Sequence, residues 1–521
     1  MKAICVVKTT LAYFWHQKYA NRKNGALFFT AVLLKLLVSS ILVSSKVLYS
    51  DGGGRMFIGR KNELSLLEGM YESEHFEFLT LFGRRRVGKT ELLSEFASKH
   101  PENTISFSAL QKNNSLNLED FSKLLQMHFD QRYIAPFPNW EEAFSYYGDK
   151  ASSDKNILII DEFPYLAEPD PSIMSILQHQ IDHVWKSSRI MLVLCGSNIS
   201  FMEKDVVGQS APLYGRTTGQ LELKAFDYFE AAEFFPSYSN ENKLIAYGIL
   251  GGIPRYLMEF ENSKTIEKNL EVHLLRNGSF LNEEPQVFLR METRESALYN
   301  SILTAISEGR NTPTEIGDRT HEDRTKISKY LLTLQNLRII ERDVPCGEPE
   351  KSKKGIYKLK DNFFKFWYRF EFSNHNYYEL LGPASAAKEI KKDLPDYMGL
   401  VFEEICREYL IRMAKAGKLP FVPYYLGKWW GNNPYLKAQD DVDVLGLSKN
   451  EEQGIFCECK FKSTPFVMED YDDTIDAIKA FPKVKQYYLY FFSKSGFTDP
   501  VRRRAAEEGA VLVEIDDLFT I

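Results

Sequence analysis

The residues of this sequence that could do chemistry begin with a glycine-rich loop at positions 83–90, which reads GRRRVGKT. Its glycines allow backbone N–H groups to wrap around a phosphate, and the N-terminus of a following helix would add positive potential. Lys89 would then contact the β- and γ-phosphates of ATP, and Thr90 would bind Mg²⁺. The predicted phosphate-binding residues are Gly83, Arg84, Arg85, Arg86, Val87, Gly88, Lys89 and Thr90.

A pair of carboxylates, Asp161 and Glu162, follows the short apolar run NILII. Such a run predicts a central strand of a parallel sheet, which delivers its last side chains to the ligand-binding edge of the sheet. Asp161 would hold Mg²⁺ through water, and Glu162 would orient and polarise the water that attacks the terminal phosphate. Alone, such a pair more often begins a solvated loop, but the loop upstream supplies the context of a nucleotide site.

Further polar residues could reach the γ-phosphate. The run IMLVL at residues 190–194 predicts a third strand, after which Asn198 or Ser197 could contact the phosphate and the attacking water, or could instead cap a helix. Arg216 lies in a glycine-flanked turn, PLYGRTTG. A cation on such a turn could be an arginine finger acting on its own or on a neighbouring subunit's γ-phosphate, although the sequence alone favours an ordinary surface arginine.

The second chemical group lies near the C-terminus and combines carboxylates with a lysine. The alternating sequence DVDV places Asp441 and Asp443 on one face of a strand. The sequence IFCECK places Glu458 and Lys460 together in the same way. Two strands that present these side chains together would form a site for a hard cation next to an ammonium, which could activate water. A salt-bridged pair of strands is the alternative.

Strands and helices are needed to position the first group, and the hydrophobic pattern predicts them. Residues 76–82 (FEFLTLF) predict a buried strand directly before the glycine-rich loop. Apolar residues between positions 92 and 97 recur at helical spacing directly after it. Strand, loop and helix therefore follow one another in the order that a phosphate-binding loop requires.

Six segments of the N-terminal half together resemble the archaeal-type ATPase family, a AAA+/STAND-related group also found in bacteria. They are FIGRKNEL, GRRRVGKT, ILIIDEFPYL, LCGSNIS, PLYGRTTG and GGIPRYL, and they span residue 57 to about residue 261. The resemblance implies that Arg216 lies in the family's arginine-bearing segment. It also implies a second sensor near the adenine, formed by Gly251, Gly252, Pro254 and Arg255. From the residues alone, GGIP is only a tight turn before a helix.

Residues 295–360 read as helix, short helix, longer helix and hairpin, the order of a winged helix. In the third helix, the charges of Arg324, Lys326 and Lys329 lie largely off the apolar stripe, so they could face DNA phosphates. A solvated charged face is the alternative, since winged helices also serve as plain packing modules between domains. The sequence leaves DNA contact here open.

Residues 361–521 resemble the restriction-endonuclease-like (PD-D/E-x-K) domain that is commonly fused to archaeal-type ATPases. The likeness rests on a D-x(14)-E-x-K spacing, with KWWGNN before it and YYLYFFSKSGFT after it. The proline–aspartate signature is absent, so the identity of the first strand ligand stays open. The implied residues are Asp441 or Asp443 and Glu458 as ligands of Mg²⁺ or Mn²⁺, Lys460 as catalytic lysine, and Glu403 or Glu404 as helix carboxylate.

The composition is that of a globular protein with several domains. A chain of 521 residues is too long for one core, and 44% hydrophobic with 26% charged residues excludes a disordered or collagen-like chain. A net charge of −6 excludes a wholly basic nucleic-acid binder, so any DNA contact must be local. The six cysteines are scattered, and the one C-x-C lacks a second pair for a zinc site, which indicates a reducing cytoplasm.

The first 55 residues have two interpretations. Residues 26–49 are mostly apolar and follow basic residues, as a signal anchor or membrane helix would. Lys35 interrupts this run, and a lysine near the middle of a membrane helix costs about 2.5–3.5 kcal/mol to insert. A globular pattern begins at Met56, and the GGGR before it could be a translated ribosome-binding sequence. The insertion cost favours a start-site artefact over a membrane anchor.

Together these patterns predict an α/β protein in four parts. The parts are an N-terminal extension (1–55), a P-loop AAA+-type ATPase core (56–262), a helical linker with a winged helix (263–360) and a restriction-endonuclease-like domain (361–521). The expected function is ATP hydrolysis in the cytoplasm, coupled to a DNA-acting, metal-dependent nuclease-like domain. The alternative is a STAND-like signalling or scaffold switch with a catalytically silent nuclease fold that binds DNA or protein. A homo-oligomer is expected if Arg216 acts between subunits.

Overall fold

The computed structural model describes residues 57–131, 135–151 and 155–520. The two interpretations of residues 1–55 therefore concern a segment outside the described residues. Within the described ranges, no helix has both the length and the apolar character that crossing a membrane requires. Residues 58–521 form one compact unit, which contains both predicted chemical groups.

A parallel five-stranded sheet forms the centre of the N-terminal part. Its strands are β1 (Glu77–Phe82), β2 (Thr104–Ser108), β3 (Asn156–Asp161), β4 (Ile190–Gly196) and β5 (Gly219–Glu222). They lie in the order β2-β3-β4-β1-β5, and every neighbouring pair is parallel. Strands β3 and β4 are buried along their whole length, as their unbroken apolar sequences predict. The carboxyl ends of β1, β3 and β4 consequently meet at one edge.

Twelve helices accompany this sheet in the described residues. They are α1 (Lys61–Glu72), α2 (Lys89–Lys99), α3 (Asn114–His128), α4 (Trp140–Ala151), α5 (Pro164–Ala167), α6 (Ser172–His183), α7 (Ile199–Phe201), α8 (Tyr228–Ala232), α9 (Asn240–Leu250), α10 (Pro254–Leu257), α11 (Ile266–Asn269) and α12 (Phe280–Glu292). Short 3₁₀ turns cover Pro101–Asn103 and Trp185–Ser187, and π-helical turns cover Met202–Val206 and Leu270–Leu274. Phe121 of α3 contacts Trp140 and Phe144 of α4, with ring centroids 5.3 and 5.6 Å apart, so aromatic packing supports the β2 side of the sheet.

The next segment has the predicted order of three helices and a hairpin. These elements are α13 (Ser296–Ser307), α14 (Pro313–Thr320), α15 (Arg324–Asn336), β6 (Ile340–Asp343) and β7 (Ile356–Leu359). A reciprocal capping box between Thr312 and Glu315 starts α14. Helix α15 buries Ile327, Leu331 and Leu334, so the segment has a core of its own.

The C-terminal part combines a second sheet with a long helix. Its elements are α16 (Asn362–Trp367), a π-helical turn (Tyr368–Phe372), α17 (Ser373–Leu381), α18 (Pro383–Lys415), β8 (Tyr425–Asn433), β9 (Ala438–Leu447), β10 (Gln453–Lys460), α19 (Met468–Ile478), β11 (Gln486–Ser493), α20 (Asp499–Glu508), β12 (Val511–Glu514) and a 3₁₀ turn (Asp517–Phe519). The strand order is β12-β11-β10-β9-β8, with β8, β9 and β10 antiparallel and the rest parallel. Both predicted strands of the carboxylate group, β9 and β10, are therefore neighbours.

Helix α18 joins this second sheet to the N-terminal part. The carboxylate of Glu408 accepts hydrogen bonds from the Tyr228 N–H at 3.0 Å and from the Tyr247 hydroxyl at 2.8 Å. One turn further along, Arg412 pairs with Asp227 at 2.5 Å. Burial above all, together with the nearby Asp227 carboxylate, raises the pKa of Glu408 to about 8. This contact therefore holds a proton at neutral pH.

Replacing Glu408 by glutamine should remove a pH dependence from the stability of the protein. The folded pKa of about 8 exceeds the ordinary 4.5, so the folded state binds more protons between these values and stability falls as pH rises across them. In thermal melts from pH 5 to 9, the free energy of unfolding of the variant should rise relative to that of the wild type. The difference should reach about 1–2 kcal/mol at the alkaline end, after discounting for solvent screening. Glu507→Gln, at an exposed position of α20, should follow the wild type. Parallel curves for Glu408→Gln and wild type would contradict this prediction.

Candidate functional sites

The glycine-rich loop lies between β1 and α2, where the sequence predicts it. Gly83 has φ +154°, and a Cβ there would stand 2.5 Å from the carbonyl oxygen of Leu223. Gly88 has φ +96°, a left-handed conformation that side chains other than glycine rarely adopt. Both glycines are therefore required for the path of the loop, and α2 begins directly after it at Lys89.

The Lys89 side chain lies folded over this loop. Its Nζ donates hydrogen bonds to the carbonyl oxygens of Gly83 at 2.8 Å and Arg84 at 3.2 Å. Only 6% of Lys89 is exposed, and this burial lowers the pKa of its ammonium. The ammonium is thus held at the mouth of the loop, where it can exchange a carbonyl for a phosphate oxygen.

The carboxylates that follow β3 meet this loop. The Thr90 hydroxyl donates a hydrogen bond to Asp161 at 2.7 Å, so a hydroxyl and a carboxylate lie side by side directly after Lys89 at the end of the loop. This donor set fits Mg²⁺, which prefers few protein oxygens and completes its shell with water and phosphate. Glu162 has φ +51°, a strained conformation for a residue with a side chain. Its carboxylate accepts a hydrogen bond from the Ser197 hydroxyl at 2.9 Å.

Other predicted site residues lie with other partners. Asn198 donates a hydrogen bond to Glu168 at 2.7 Å and its side-chain oxygen caps α7, so Ser197 is the polar residue after β4 that contacts Glu162. Arg216 forms a two-point ion pair with Asp182, at 2.9 and 2.7 Å.

Part of the proposed second sensor lies in space next to Gly88 of the glycine-rich loop. Pro254 begins α10, and its Cγ lies 3.7 Å from the position that a Cβ on Gly88 would take. Arg255 pairs with Glu259 at 2.6 Å and its guanidinium lies over the ring of Phe280. The proline therefore lies next to the loop, while the arginine is held by Glu259 and Phe280.

Each arginine of the loop pairs with a carboxylate far along the chain, which the sequence did not indicate. Arg84 pairs with Asp361, the residue that caps α16, and both side chains are buried. Arg85 Nε lies 2.5 Å from Glu292 Oε1. Arg86 pairs with Glu284 of the same helix, α12. The phosphate loop is therefore attached to elements that follow the sheet domain.

The C-terminal carboxylates gather around a lysine that was not among the predicted site residues. Lys428 of β8 places its Nζ 2.9 Å from Glu403, 3.1 Å from Asp441 and 3.4 Å from Asp443. The Asp443 carboxylate also accepts a hydrogen bond from the Cys459 N–H at 2.9 Å. The only sequence signal for Lys428 is a basic residue inside an otherwise aromatic strand, KWW.

The other half of this group lies on β10. Lys460 pairs with Glu458 and lies 3.6 Å from Asp470. Burial and the neighbouring Asp443 raise the pKa of Glu458 to about 8 and that of Glu403 to about 7. Carboxyl groups whose pKa lies near neutrality can take up and release protons, as general acids and bases must.

The two predicted helix carboxylates have separate partners. Glu403 lies in the lysine-centred group, whereas Glu404 pairs with Lys358 of β7 at 2.8 Å and with Arg407 at 2.7 Å. Burial alone would raise the pKa of Glu404, but these two cations lower it well below its ordinary value. Glu403 is thus the helix carboxylate that lines the cavity of about 660 Å³ with Glu458 and Lys460.

A divalent cation does not fit the C-terminal group in this arrangement. Among the described residues, no three His, Cys, Asp or Glu side chains are gathered so that they could hold a metal ion. The Lys428 ammonium takes the place between Glu403, Asp441 and Asp443 that a cation would take. The metal ligands assigned from the sequence stay a prediction, and a metal could bind there only after Lys428 has moved.

The sheet order and the loop with its two carboxylates define a P-loop ATPase domain of the AAA+ type. Residues 57–260 match a family described as an ATPase domain predominantly from Archaea, and residues 367–471 match a family described as archaeal and bacterial proteins of unknown function. An uncharacterized protein of Methanocaldococcus jannaschii is 34% identical over 409 residues, which are 78% of this chain and 88% of that protein. The chain belongs to the family of that protein.

The chain is similar to many solved structures, among them the following two. The Walker-type ATPase of Pyrococcus abyssi covers 60% of this chain with 96% of its own length, at 20% identity and a TM-score of 0.45. The ORC2 protein of Aeropyrum pernix, solved as ADPNP–ADP complexes, covers 65% of this chain with 98% of its own, at 13% identity and a TM-score of 0.40. None of these likenesses assigns a nuclease, so that activity stays a prediction.

Replacing Lys428 by methionine should destabilise the C-terminal domain by about 3 kcal/mol, because three carboxylates would lose their common cation. In thermal melts without ATP or DNA, Mg²⁺ or Mn²⁺ should restore part of the loss, since a divalent cation can take the vacated position. The same ions should leave the wild type almost unchanged. Lys449→Met, at an exposed turn, is the control. Equal melting temperatures for Lys428→Met and wild type would show that the ammonium does not hold these carboxylates.

Proposed function

We propose that this protein binds and hydrolyses ATP with Mg²⁺ and uses its nucleotide state to control a DNA-acting, nuclease-like domain. The observation that carries this proposal is the meeting of three pairs at one edge of the parallel sheet. They are Lys89 with the loop carbonyls, Thr90 with Asp161, and Glu162 with Ser197. An ammonium, a magnesium-type donor pair and a positioned carboxylate are the groups that phosphoryl transfer to water needs.

Each side chain of this site has its own proposed role in ATP hydrolysis. The backbone of the loop and Lys89 bind the β- and γ-phosphates, and Thr90 and Asp161 would hold Mg²⁺, which neutralises charge on the phosphates when bound. Glu162 orients the attacking water and polarises it. Ser197 holds the Glu162 carboxylate until the attacking water donates a hydrogen bond to that carboxylate.

Coupling to the C-terminal domain would run through ion pairs. Arg84 of the phosphate loop pairs with Asp361, which follows β7 by two residues. Lys358 of β7 pairs with Glu404 of α18, and the adjacent Glu403 binds Lys428 in the C-terminal group. A change at the phosphate loop can therefore reach the carboxylate group through charged contacts and two rigid elements.

DNA is the proposed substrate of the C-terminal group. Helix α15 exposes Arg324 and Lys329 beside its buried stripe, as a helix that contacts DNA phosphates would. Lys460 beside Glu458 offers an ammonium to a phosphodiester, and the raised pKa of Glu458 suits proton transfer. Withdrawal of Lys428 from its carboxylates is the step that would open this group to Mg²⁺ or Mn²⁺.

A second candidate function is a nucleotide-controlled switch with a catalytically silent C-terminal domain. The observation that favours it is the contact of Lys428 with Glu403, Asp441 and Asp443, which neutralises the carboxylates from inside the chain. In that case the domain would bind DNA or a partner protein without cleaving it.

Substitutions at the sheet edge test the ATPase part of the proposal. Lys89→Ala should lose ATP binding in calorimetry, because the phosphates lose their ammonium. Glu162→Gln should bind ATP but hydrolyse it about 10²–10⁴-fold more slowly, since the water loses its base. Glu233→Gln, exposed after α8, should behave as wild type. Normal hydrolysis by Glu162→Gln would mean that another residue activates the water.

Cleavage of plasmid and linear DNA tests the nuclease part. With ATP and Mg²⁺ or Mn²⁺, the wild type should cleave, and Glu458→Ala and Lys460→Ala should each lose about 10²-fold or more. Glu469→Ala, exposed on α19, should retain the wild-type rate. Absent or metal-independent cleavage by the wild type would reject the nuclease in favour of the switch.

A further inference from the structure

Arg85 faces the catalytic edge of the ATPase site. A cavity of about 810 Å³ is lined by Arg85, Glu162 and Ser197 together. Burial by itself lowers the pKa of Arg85, but Glu292 above all, then Tyr165 and to a smaller extent Glu162 raise it. The Arg85 guanidinium is therefore close enough to the water-activating carboxylate to sense its charge.

Arg84 lines the same cavity, but Arg84 and Arg86 are both held more firmly than Arg85. The Arg84 side chain is 6% exposed, and its guanidinium lies 4.6 and 4.9 Å from the ring centres of Phe288 and Phe364. Arg86 pairs with Glu284, which is itself 1% exposed. Both have structural positions that a nucleotide could not easily recruit.

The Arg85–Glu292 pair is more accessible than the pairs of its neighbours. Its side chains are 29% and 17% exposed, and Glu292 is the last residue of α12. Helix ends fray more readily than helix interiors, so this carboxylate can release its partner at low cost. A γ-phosphate entering the same cavity would offer Arg85 more negative charge than one carboxylate does.

We propose that Arg85 is a catalytic residue that binds the γ-phosphate of ATP from within the same chain, and that Arg85 stays paired with Glu292 while no γ-phosphate is present. The inference rests on the proposed ATPase function and extends it. Arg85 would stabilise charge on the transferring phosphoryl group, which is the task of an arginine finger, for which Arg216 was one candidate from the sequence. Arg216 remains paired with Asp182, at 2.9 and 2.7 Å.

The replacement of Glu292 by the γ-phosphate as partner of Arg85 would also affect the winged-helix segment, which begins at α13. Glu292 is separated from α13 by three residues, and Thr333 and Asn336 of α15 line the same cavity. Release of Glu292 would therefore remove an anchor at the point where the chain leaves the ATPase domain. ADP lacks the γ-phosphate and would leave the Arg85–Glu292 pair intact.

Binding of ATP and ADP to single-site variants of the full chain tests this inference, with hydrolysis measured alongside. Arg85→Ala should weaken the binding of ATP about 10-fold or more, while its affinity for ADP stays within about twofold of the wild type. The kcat for ATP hydrolysis should fall about 10²–10³-fold. Arg85→Lys should recover part of the kcat, because it restores the charge without the planar fork. Glu292→Gln should increase the affinity for ATP about 3- to 10-fold and leave the affinity for ADP unchanged, because Arg85 then has no ion pair with a carboxylate to break. Glu283→Gln, exposed on the same helix, should change neither nucleotide.

The outcomes separate the inference from the function on which it rests. Equal loss of ATP and ADP affinity in Arg85→Ala, or no change of the ATP-to-ADP ratio in Glu292→Gln, would overturn the role of Arg85 and leave the ATPase standing. Glu292→Gln keeps the test decisive if Arg85→Ala does not fold. A wild-type protein that bound neither nucleotide would overturn the proposed function and this inference together.

Discussion

The buried ion pair between Arg84 and Asp361 is the interaction on which the arrangement of the two halves depends. Its side chains are 6% and 7% exposed, so removing either partner would leave an uncompensated charge in the interior. Asp361 also accepts a hydrogen bond from the Phe364 N–H at 2.9 Å, which starts α16. One carboxylate thus fixes a helix and a phosphate loop that are 277 residues apart in sequence. The loop cannot change shape without the helix responding.

Much of the fold and part of the site followed from local sequence patterns. Strand β1, the glycine-rich loop and α2 were predicted in order because each has its own signature of burial, backbone conformation or helical spacing. The alternation in β9 and β10 likewise placed their charged residues at solvent-accessible or half-buried positions and their valines and cysteines in the core. These features depend on neighbours within a few residues, which the sequence displays directly.

Features set by distant contacts could not be predicted in this way. Nothing near Arg85 indicates Glu292, and nothing near Lys428 indicates that Glu403 of a preceding helix will meet it. Which of Ser197 and Asn198 contacts Glu162 depends on which side chain points toward Glu162 after β4. The sequence does not show the direction of a single side chain at the end of a strand. Pairs of charges separated by many residues leave no periodic trace, so only the tertiary structure reveals them.

The long helix α18 contains a proline, Pro395, in its interior. A proline there removes one backbone hydrogen bond and is the usual place for a helix to bend. The part beyond it carries Glu403, Glu404 and Glu408, which contact respectively the lysine-centred group, strand β7 and the ATPase domain. Since five residues span about 7.5 Å of helix, these three attachments lie on a short stiff rod. A tilt of this part of the helix would therefore shift its contacts with all three neighbours at once.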